Sequence, residues 1–442
     1  MIKKIALIAF LAIGFGLLLY FKPWQTEIKS KPRLVDRLPE AEYIGSFNPL
    51  QLSKEIADFP SFKDIKFRQF LNYDFLISQS RSLGINLQSS VYFFIHEDLS
   101  WGILLEINDS KKLKSGISKF IESFNFKTFT EKNKTIHELS EAQLAITYGE
   151  EFLVIYKGEE RNKVFEDIFN AEFNSTKGIW KRFHNLQSNA SEAITLYSEG
   201  KKLKTFGFES ILLRSITDST NVTFNTVLTK ENAFNIEIKN GRSLDKDFSK
   251  NAIDIQLDIS NFRDKKNDLL YKQLETISAK YGLPFIDFLD VWEGEFSFRE
   301  GDYIRLDESY FETVVDEEFN TVLEEKIRTK YIPEYNIFLS NNNKFRKLIE
   351  LLIRKRVAIQ EADSDKYRFL LSPPMSLKKS DTVSYLYSGH QKPAIKTACN
   401  NRISWELNNV RYNFQLDSLQ EEKAFGKIFF DFSSLTKFGY FQ

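Results

Sequence analysis

Residues 253–259 read Ile-Asp-Ile-Gln-Leu-Asp-Ile, so that apolar and polar side chains alternate at every position. Successive side chains of a β-strand point to opposite faces of the sheet, whereas an α-helix repeats every 3.6 residues. The period of two therefore predicts a half-buried strand with one apolar face and one solvated face.

Other apolar runs of similar length come in pairs joined by short polar turns, the pattern of antiparallel hairpins. In the last of these pairs the turn is Asn408-Asn409, and asparagine tolerates the positive φ of a tight hairpin turn. The sheets are therefore expected to be mainly antiparallel. The pairs are Val91–Ile95 with Trp101–Ile107, Ala145–Tyr148 with Phe152–Tyr156, Val222–Leu228 with Phe234–Ile238, and Ile403–Leu407 with Val410–Leu416.

Helical patterns alternate with these hairpins. Lys111–Phe124 and Lys344–Arg354 each carry one apolar stripe at helical spacing. The stretch Thr321–Tyr331 fits either period and stays open. Together these patterns predict an α+β fold of mainly antiparallel sheets with flanking helices.

The N-terminal segment Ile5–Phe21 contains no charge and is bounded by lysines on both sides. At about 1.5 Å per residue it covers roughly 25 Å, close to the thickness of a bilayer core, and predicts a transmembrane anchor. A cleaved signal peptide is the alternative, but the place of its small cleavage-site residues is held by Leu17–Phe21. No cysteine stands at the end of the segment, where a lipid-modified N-terminus would require one.

The positive-inside rule orients this anchor, because Lys3 and Lys4 precede it. The prediction is a single pass through the inner (cytoplasmic) membrane with a cytoplasmic N-terminus and a periplasmic or otherwise extracytoplasmic body. The polar stretch that follows the anchor is expected to be an extended tether between the membrane and the folded body. The predicted division is a signal anchor at 1–24, a tether at 25–37, a first α+β lobe at 38–245 and a second at 246–442.

The composition of the chain argues against several classes of function. The 442 residues include 61 basic and 61 acidic ones, so a nucleic-acid partner, which favours a basic excess, is not expected. Cys399 is the one cysteine, which excludes an intrachain disulfide. No glycine-rich phosphate loop of either common form occurs, and no cofactor is predicted.

Three stretches share one layout, in which an apolar strand end is followed by small polar or turn residues and then an apolar residue. Asparagine or serine in such a joint can cap the helix that follows the strand. The stretches are Phe47-Asn48-Pro49-Leu50, Ile259-Ser260-Asn261-Phe262 and Phe432-Ser433-Ser434-Leu435.

Further correspondences keep their order along the chain. Asn108-Asp109 and Ser340-Asn341 each lead from a strand into a helix, and Gly84 and Gly282 each precede a strand. This order suggests a diverged duplication with a boundary near Asn240–Asn251. Chance is the alternative, since caps and strand ends draw on few residue types.

Short stretches in both halves resemble a diffuse family of signal-anchored bacterial envelope proteins of unknown function. The resemblance implies a duplicated α+β body outside the cytoplasm and brings no catalytic residues. It rests on Leu38-Pro39-Glu40-Ala41-Glu42-Tyr43-Ile44 with Phe47-Asn48-Pro49-Leu50, and on Gly282-Leu283-Pro284-Phe285 with Trp292-Glu293-Gly294-Glu295-Phe296.

One short motif has a catalytic parallel. Ser376-Leu377-Lys378-Lys379 matches S-x-x-K, in which Lys379, one helical turn on, would activate Ser376 as a nucleophile. Pro373 and Pro374 would suit the start of that helix. The nearby Ser380-Asp381-Thr382 lies too close to serve as the usual downstream element, so the motif is a weak catalytic candidate.

Metal chemistry has little support in the sequence. His96, His137, His184 and His390 are scattered and lack metal-binding spacing, and no metal site is predicted. Asp316-Glu317-Glu318 and Asp363-Ser364-Asp365 read as solvated turns, because neither has the spacing of a calcium loop.

Phenylalanine is unusually abundant, with 42 residues beside 18 tyrosines. Core packing accounts for most aromatic side chains, although a surplus can line a groove for lipid or a partner peptide. The preferred hypothesis is a membrane-anchored envelope protein with a non-catalytic binding or scaffolding role. The alternatives are binding or transfer of lipid or another hydrophobic ligand, and a hydrolase whose site is assembled only in the fold. The expected partners are the membrane, through the N-terminal helix, and an envelope protein or a lipid.

Overall fold

The computed structural model describes the chain from residue 33 to residue 431 with gaps. The predicted anchor and most of the predicted tether lie outside these residues. No helix among the described residues combines the length and apolarity needed to span a membrane. The described ranges are 33–57, 73–124, 126–172, 176–186, 192–217, 221–245, 250–315, 319–361, 364–369, 372–389, 394–398, 401–407 and 410–431.

The chain is α+β, a mainly antiparallel sheet with flanking helices. The helices are α1 (Pro49–Ala57), α2 (Tyr73–Leu83), α3 (Ser110–Phe124), α4 (Arg161–Phe169), α5 (Gly178–Leu186), α6 (Lys201–Lys204), α7 (Ser260–Arg263), α8 (Leu269–Lys280), α9 (Phe285–Val291) and α10 (Phe345–Arg354).

The strands fall into two runs along the chain. Up to residue 244 they are β1 (Tyr43–Phe47), β2 (Val91–Ile95), β3 (Trp101–Glu106), β4 (Lys127–Glu131), β5 (Lys134–Leu139), β6 (Leu144–Tyr148), β7 (Phe152–Lys157), β8 (Ile194–Ser198), β9 (Phe208–Thr217), β10 (Asn221–Lys230), β11 (Glu237–Ile238) and β12 (Gly241–Leu244). The later strands are β13 (Ala252–Asp258), β14 (Trp292–Val315), β15 (Thr321–Asn341), β16 (Ala358–Gln360), β17 (Lys366–Phe369), β18 (Met375–Lys379), β19 (Val383–Tyr387), β20 (Ile395–Ala398), β21 (Asn401–Leu407), β22 (Val410–Gln420) and β23 (Lys423–Asp431).

One continuous antiparallel sheet joins both runs at its centre, where β10 pairs with β23. From β10 outward the strand order is β9-β8-β1-β2-β3-β7-β6-β5-β4. From β23 outward it is β22-β21-β13-β14-β15-β19-β18-β17-β16. The two series have the same connections, with β1 corresponding to β13 and β10 to β23. Strand β11 pairs with the end of β13, and β12 pairs with β20 in a separate small sheet.

Three of the four predicted hairpins are confirmed, namely β2–β3, β6–β7 and β21–β22. The turn Asn408-Asn409 of the last one lies outside the described residues. The fourth, Val222–Leu228 with Phe234–Ile238, is wrong. Both edges of β10 are occupied, by β9 and β23, so the chain leaves the sheet after Lys230 and β11 pairs with β13 instead.

The two predicted helices correspond to α3 and α10. The open stretch Thr321–Tyr331 is part of the long strand β15. The predicted cap of α1 is present, because the Asn48 side chain accepts hydrogen bonds from the backbone N–H groups of residues 50 and 51. Asp109 caps α3 in the same way. Before α10 the corresponding hydrogen bond is made by Asn342, which directly follows the predicted Ser340-Asn341 joint. The third predicted joint, Phe432–Leu435, lies outside the described residues.

The N-terminal part of the sheet is covered on both faces. Helices α4 and α5 pack on one face around Trp180 and Phe183, and α3 packs on the other through Leu113 and Ile117. Residues 34–37 form a 3₁₀ turn whose Leu34 and Val35 pack against the first of these cores. The end of the predicted tether therefore belongs to the packed body.

The C-terminal part is also covered on both faces, which corrects the prediction of a solvated face for residues 253–259. Asp254 and Gln256 are buried, because the small sheet of β12 and β20 lies over them. Asp254 accepts hydrogen bonds from Arg299 at 2.8 Å and Arg402 at 2.9 Å. Arg299 is completely buried. Paired charges of this kind keep a buried polar face satisfied.

Strands β14 and β15 continue past the sheet as a two-stranded arm. Beyond Tyr303 and Pro333, within the part of the chain that the structure describes, they pair only with each other, up to Val315 and Thr321. Opposite residues of an antiparallel pair lie on the same face, so Phe311, Leu323 and Ile327 share one face of the arm, where all three are exposed.

Candidate functional site: an apolar cavity beneath the α8–α9 helices

A cavity of about 580 Å³ lies between the C-terminal part of the sheet and helices α7–α10. This volume is within the range of about 300–1,000 Å³ that is usual for small-molecule sites. Among the described residues of its wall there is no charged side chain, and Ser278 supplies the one side-chain hydroxyl. The lining residues are Ile236, Ile255, Leu257, Ile259, Phe262, Leu274, Ser278, Leu283, Pro284, Phe285, Phe288, Leu289, Trp292, Phe296, Leu348, Leu352, Val357 and Phe369.

The floor of the cavity is formed by the sheet. Ile255 and Leu257 of β13 and Phe296 of β14 line it, and Ile255 lies opposite Phe296 in the strand register. The period-two alternation therefore places its apolar side chains toward the cavity and its polar ones under β12.

Trp292 forms one wall, and its indole is fixed by a hydrogen bond. The Nε1–H donates to the Glu295 carbonyl oxygen at 2.8 Å, while Phe288 stacks on the ring with centroids 5.5 Å apart. A buried tryptophan whose N–H has a partner can present its remaining surface to an apolar site.

Helices α8 and α9 form the roof, which we call the lid. Asp268 begins α8 by accepting a hydrogen bond from the Leu270 N–H at 2.8 Å. The helix ends in a Schellman motif, with Leu283 N–H donating to the Ser278 carbonyl and Gly282 N–H to that of Ala279. Gly282 has φ +71°, which glycine adopts without strain. The sharp turn at Gly282 returns the chain into α9 over the cavity.

The start of the lid is fixed to the N-terminal part of the chain. Lys230, at the end of β10, donates from Nζ to Asp268 Oδ2 at 2.5 Å, and both side chains are buried. Asn235 donates to the same carboxylate oxygen. The N-terminal end of α8 is therefore held by a charge pair, whereas its C-terminal end lies at the surface.

The mouth of the cavity lies at the lid turn. Leu283 lines the cavity and is nevertheless 45% exposed, so it borders both the interior and solvent. Tyr281 beside it is 64% exposed. An apolar molecule can therefore reach the cavity past the α8–α9 turn.

The described wall of the cavity offers mainly apolar contact surface. Tyr271 is a buried phenol in the same core, and burial raises its pKa, so it stays neutral at physiological pH. It packs against Phe262 and Phe285 with ring centroids 5.5 and 5.2 Å away. Among the described lining residues, none carries an acidic or a basic side chain.

A larger cleft of about 1000 Å³ lies in the N-terminal part, but its lining is chemically mixed. The cations Arg33, Arg37 and Lys181 line it together with the carboxylates of Glu106 and Glu151. Charges of both signs compensate one another there. The cleft therefore selects no ligand class as clearly as the apolar cavity does.

The S-x-x-K motif lies in strand β18, not at the start of a helix as the preceding prolines suggested. The strand is held by pairing with β17 and β19. Ser376 and Lys379 are three positions apart, and in a strand an odd separation puts two side chains on opposite faces. The structure therefore does not bring the two candidate residues together.

The described histidines also lie apart. His96 Nδ1 is 3.9 Å from a Glu42 carboxylate oxygen, and His184 packs edge-on against Tyr92. His137 is buried with Nδ1 2.9 Å from the Thr128 hydroxyl, and burial lowers its pKa. His390 lies outside the described residues.

No group of three or more metal-binding side chains occurs within the described ranges. Of the carboxylate stretches singled out in the sequence, Asp316-Glu317-Glu318 and Asp363 lie outside those ranges. Ser364 and Asp365 form the turn before β17, where the Asp365 carbonyl accepts a hydrogen bond from Leu377.

Sequence reasoning missed the cavity because its wall comes from separate segments. Residues from 236 to 369 contribute, and each segment alone reads as ordinary core. One available signal was Gly282-Leu283-Pro284-Phe285, where apolar residues flank a helix-ending glycine.

Comparison with known proteins gives no family assignment. No protein-family model matches the chain. No curated protein matches it either. Among solved structures, crystal form IV of TP0453 aligns with a TM-score of 0.32 and 10% identity over 46% of this chain and 82% of that one. Crystal form III aligns with a TM-score of 0.33 and 12% identity over 47% and 83%. These are weak likenesses of structure.

Proposed function

We propose that the protein binds a hydrophobic ligand of the acyl-chain class in the cavity beneath the lid. The observation that carries the proposal is the described lining, in which the Ser278 hydroxyl and the Trp292 indole N–H, already bonded to the Glu295 carbonyl, are the polar side-chain groups. Such a wall cannot replace the water lost by a charged or strongly polar molecule, so it selects against those ligands. An acyl chain needs no hydrogen-bond partner.

The apolar wall of the cavity gives the proposal an energetic basis. The cavity opens to solvent at Leu283, so without a ligand its apolar wall is in contact with water. A bound acyl chain would remove that wall and its own methylenes from water, and each buried methylene contributes about 0.8 kcal/mol.

The wider setting is part of the same proposal. Ile5–Phe21 would anchor the chain in the inner membrane, with the cavity on the extracytoplasmic side. The shared strand order on the two sides of the β10–β23 pair supports an origin of the body in a duplicated α+β lobe. Gly84 and Gly282, which hold corresponding places before β2 and β14, both have φ +71°.

The other functions raised by the sequence have less support. A hydrolase built on Ser376 and Lys379 is not favoured, because the two side chains lie on opposite faces of β18. A binding or scaffolding role has one specific observation in its favour, the exposed apolar face of the β14–β15 arm around Phe311 and Leu323.

Extraction of the purified full-length chain tests the proposal. Ser278→Phe places an aromatic ring in the cavity, and Lys272→Phe adds the same ring on the exposed face of α8. Lipids released into organic solvent are quantified by mass spectrometry. We expect an acyl-chain species in the wild type and in Lys272→Phe that is depleted in Ser278→Phe. Lipid bound to the N-terminal segment contributes equally to all three proteins. Equal lipid content in all three would therefore mean that the cavity holds none, which would contradict the proposal.

A further inference from the structure

We propose that the mouth of the cavity docks on an anionic lipid surface. The inference rests on the proposed function, because it names the source from which the acyl chain would enter. It is carried by an exposed apolar tip and by a cluster of cations beside that tip.

The apolar tip consists of Ile277, Tyr281, Leu283 and Ile286, at the turn between α8 and α9. All four are large apolar or aromatic residues, and between 42% and 64% of each is exposed. Tyrosine is typical of membrane interfaces because its ring is apolar and its hydroxyl remains hydrated. The residues surround the point where Leu283 opens into the cavity.

The basic cluster consists of Lys280 and Arg354–Arg356. It lies beside the tip because Val357, which follows Arg356, lines the cavity with Leu283, and its Cγ2 would be 3.9 Å from a Cβ on Gly282. All four cations are exposed. Among the residues that the structure describes, none of them forms an ion pair with a carboxylate. Three exposed carboxylates lie on the same two helices among the described residues: Asp287 and Asp290 of α9 and Glu350 of α10. Asp290 pairs with Lys344 and Glu350 with Arg346, so the four cations of the cluster face only Asp287 as a carboxylate without a described ion pair.

Arg356 occupies a position that favours glycine. Helix α10 ends in the same manner as α8, with Val357 N–H donating to the Leu352 carbonyl at 2.9 Å, and Arg356 has φ +58°. Glycine is the usual residue at this place in a Schellman motif, because any other side chain is strained there. Arg356→Gly would therefore remove one cation and at the same time relieve backbone strain at that position.

An anionic bilayer meets both parts of this surface. Its headgroups attract lysine and arginine, and its interfacial region accepts tyrosine and aliphatic side chains. A neutral hydrophobic partner would leave the four cations without counter-charges. The surface is therefore complementary to an anionic lipid rather than to an apolar protein face.

Hydrogen exchange on the full-length chain reconstituted in vesicles tests the inference. One set of vesicles contains phosphatidylcholine alone, and the other contains about 30% phosphatidylglycerol, a fraction chosen to give a clear negative surface potential. The variants are Arg356→Gly and the triple change Arg354→Gln, Lys355→Gln and Arg356→Gln. All share the same N-terminal segment, so tethering cannot produce a difference between them.

We expect amides of residues 277–288 to exchange more slowly in the anionic vesicles than in the neutral ones. Each cation removed should weaken this contact by about fivefold. Arg356→Gly should weaken the contact with the anionic vesicles even though it relieves backbone strain. A loss of protection in this variant would therefore reflect lost contact with the lipid and not a loss of folding. The amides of the β14–β15 arm, which also exposes apolar side chains, serve as an internal control and should not change.

Three results would overturn the inference: equal exchange in both kinds of vesicle, protection unaffected in the triple variant, or protection that follows protein concentration without lipid. The last would identify a second copy as the occupant. Ser278→Phe, measured in parallel, separates this inference from the proposed function. That variant should lose cavity ligand but keep the protection of residues 277–288.

Discussion

Lys230 and Asp268 form a buried ion pair, with Nζ 2.5 Å from Oδ2. The pair links the central strand β10 to the residue that directly precedes the lid. Lys230 lies at the end of β10, where the two series of strands meet. Asp268 also caps α8. The pair therefore sets where the lid begins, while the α8–α9 turn remains at the surface.

Removing one partner of this pair should destabilise the protein strongly. Lys230→Met leaves the Asp268 carboxylate buried without its cation, which typically costs about 3–5 kcal/mol. Combining it with Asp268→Ser removes the buried charge and keeps a hydroxyl to cap α8. We expect urea unfolding to show a large loss for the single variant and recovery of most of it in the double variant. If the double variant were as unstable as the single one, the charge pair would not be what holds the lid.

The corresponding glycines offer a matched comparison. Gly84 and Gly282 share φ +71°, so alanine at either place costs about 1–2 kcal/mol of backbone strain. A Cβ at residue 84 would lie 2.2 Å from the Asp109 carbonyl oxygen, whereas one at residue 282 would meet Val357 at an ordinary 3.9 Å. Gly84→Ala should therefore lower the unfolding free energy clearly more than Gly282→Ala. Equal losses in urea unfolding would contradict the packing difference.

The stability at alkaline pH should depend on Tyr197. Burial, together with the hydrogen bond from its hydroxyl to Glu199 at 2.5 Å, raises its pKa to about 12. The unfolded phenol ionises near pH 10, so the folded state holds the proton more tightly. The resulting stability is complete below pH 10 and is lost as the pH rises toward 12.

Between pH 9 and pH 11 the wild type should lose about 1.4 kcal/mol more than Tyr197→Phe, which has no phenol to ionise. Urea midpoints measured across this range provide the check. Other buried tyrosines are common to both proteins and cancel in the difference. Parallel pH profiles would show that Tyr197 ionises equally easily in the folded and unfolded chains.

The local structure around residues 253–259 was predictable because alternation depends only on neighbouring residues. The strand itself, helix α10 and three of the hairpins follow in the same way from short-range periodicity and turn residues. The burial of Asp254 and Gln256 was not predictable in this way. It depends on β12 pairing with β20, which lies far along the chain, and on Arg299 and Arg402 reaching Asp254.

The cavity could not be predicted for a related reason. Apolar positions such as Leu257, Leu274 and Leu348 have the same pattern whether helices pack tightly on a sheet or stand away from it. The space between them is set by the lid, whose start is held by Lys230 and whose two helices are joined by the turn at Gly282. Similarly, the serine and lysine of the S-x-x-K motif approach each other only in a helix, and the pairing of β18 with β17 and β19 prevents that conformation.

Titration of a fluorescent fatty acid into the full-length chain, held in an amphipathic polymer without lipid, tests the central claim most directly. The account predicts saturable binding of one probe per chain in the wild type and in Lys272→Phe, and at least a tenfold loss of affinity in Ser278→Phe, since a tenfold change corresponds to about 1.4 kcal/mol. Circular dichroism would confirm that all three proteins are folded. Binding of equal strength in Ser278→Phe and the wild type, or no saturable binding in the wild type, would contradict the account.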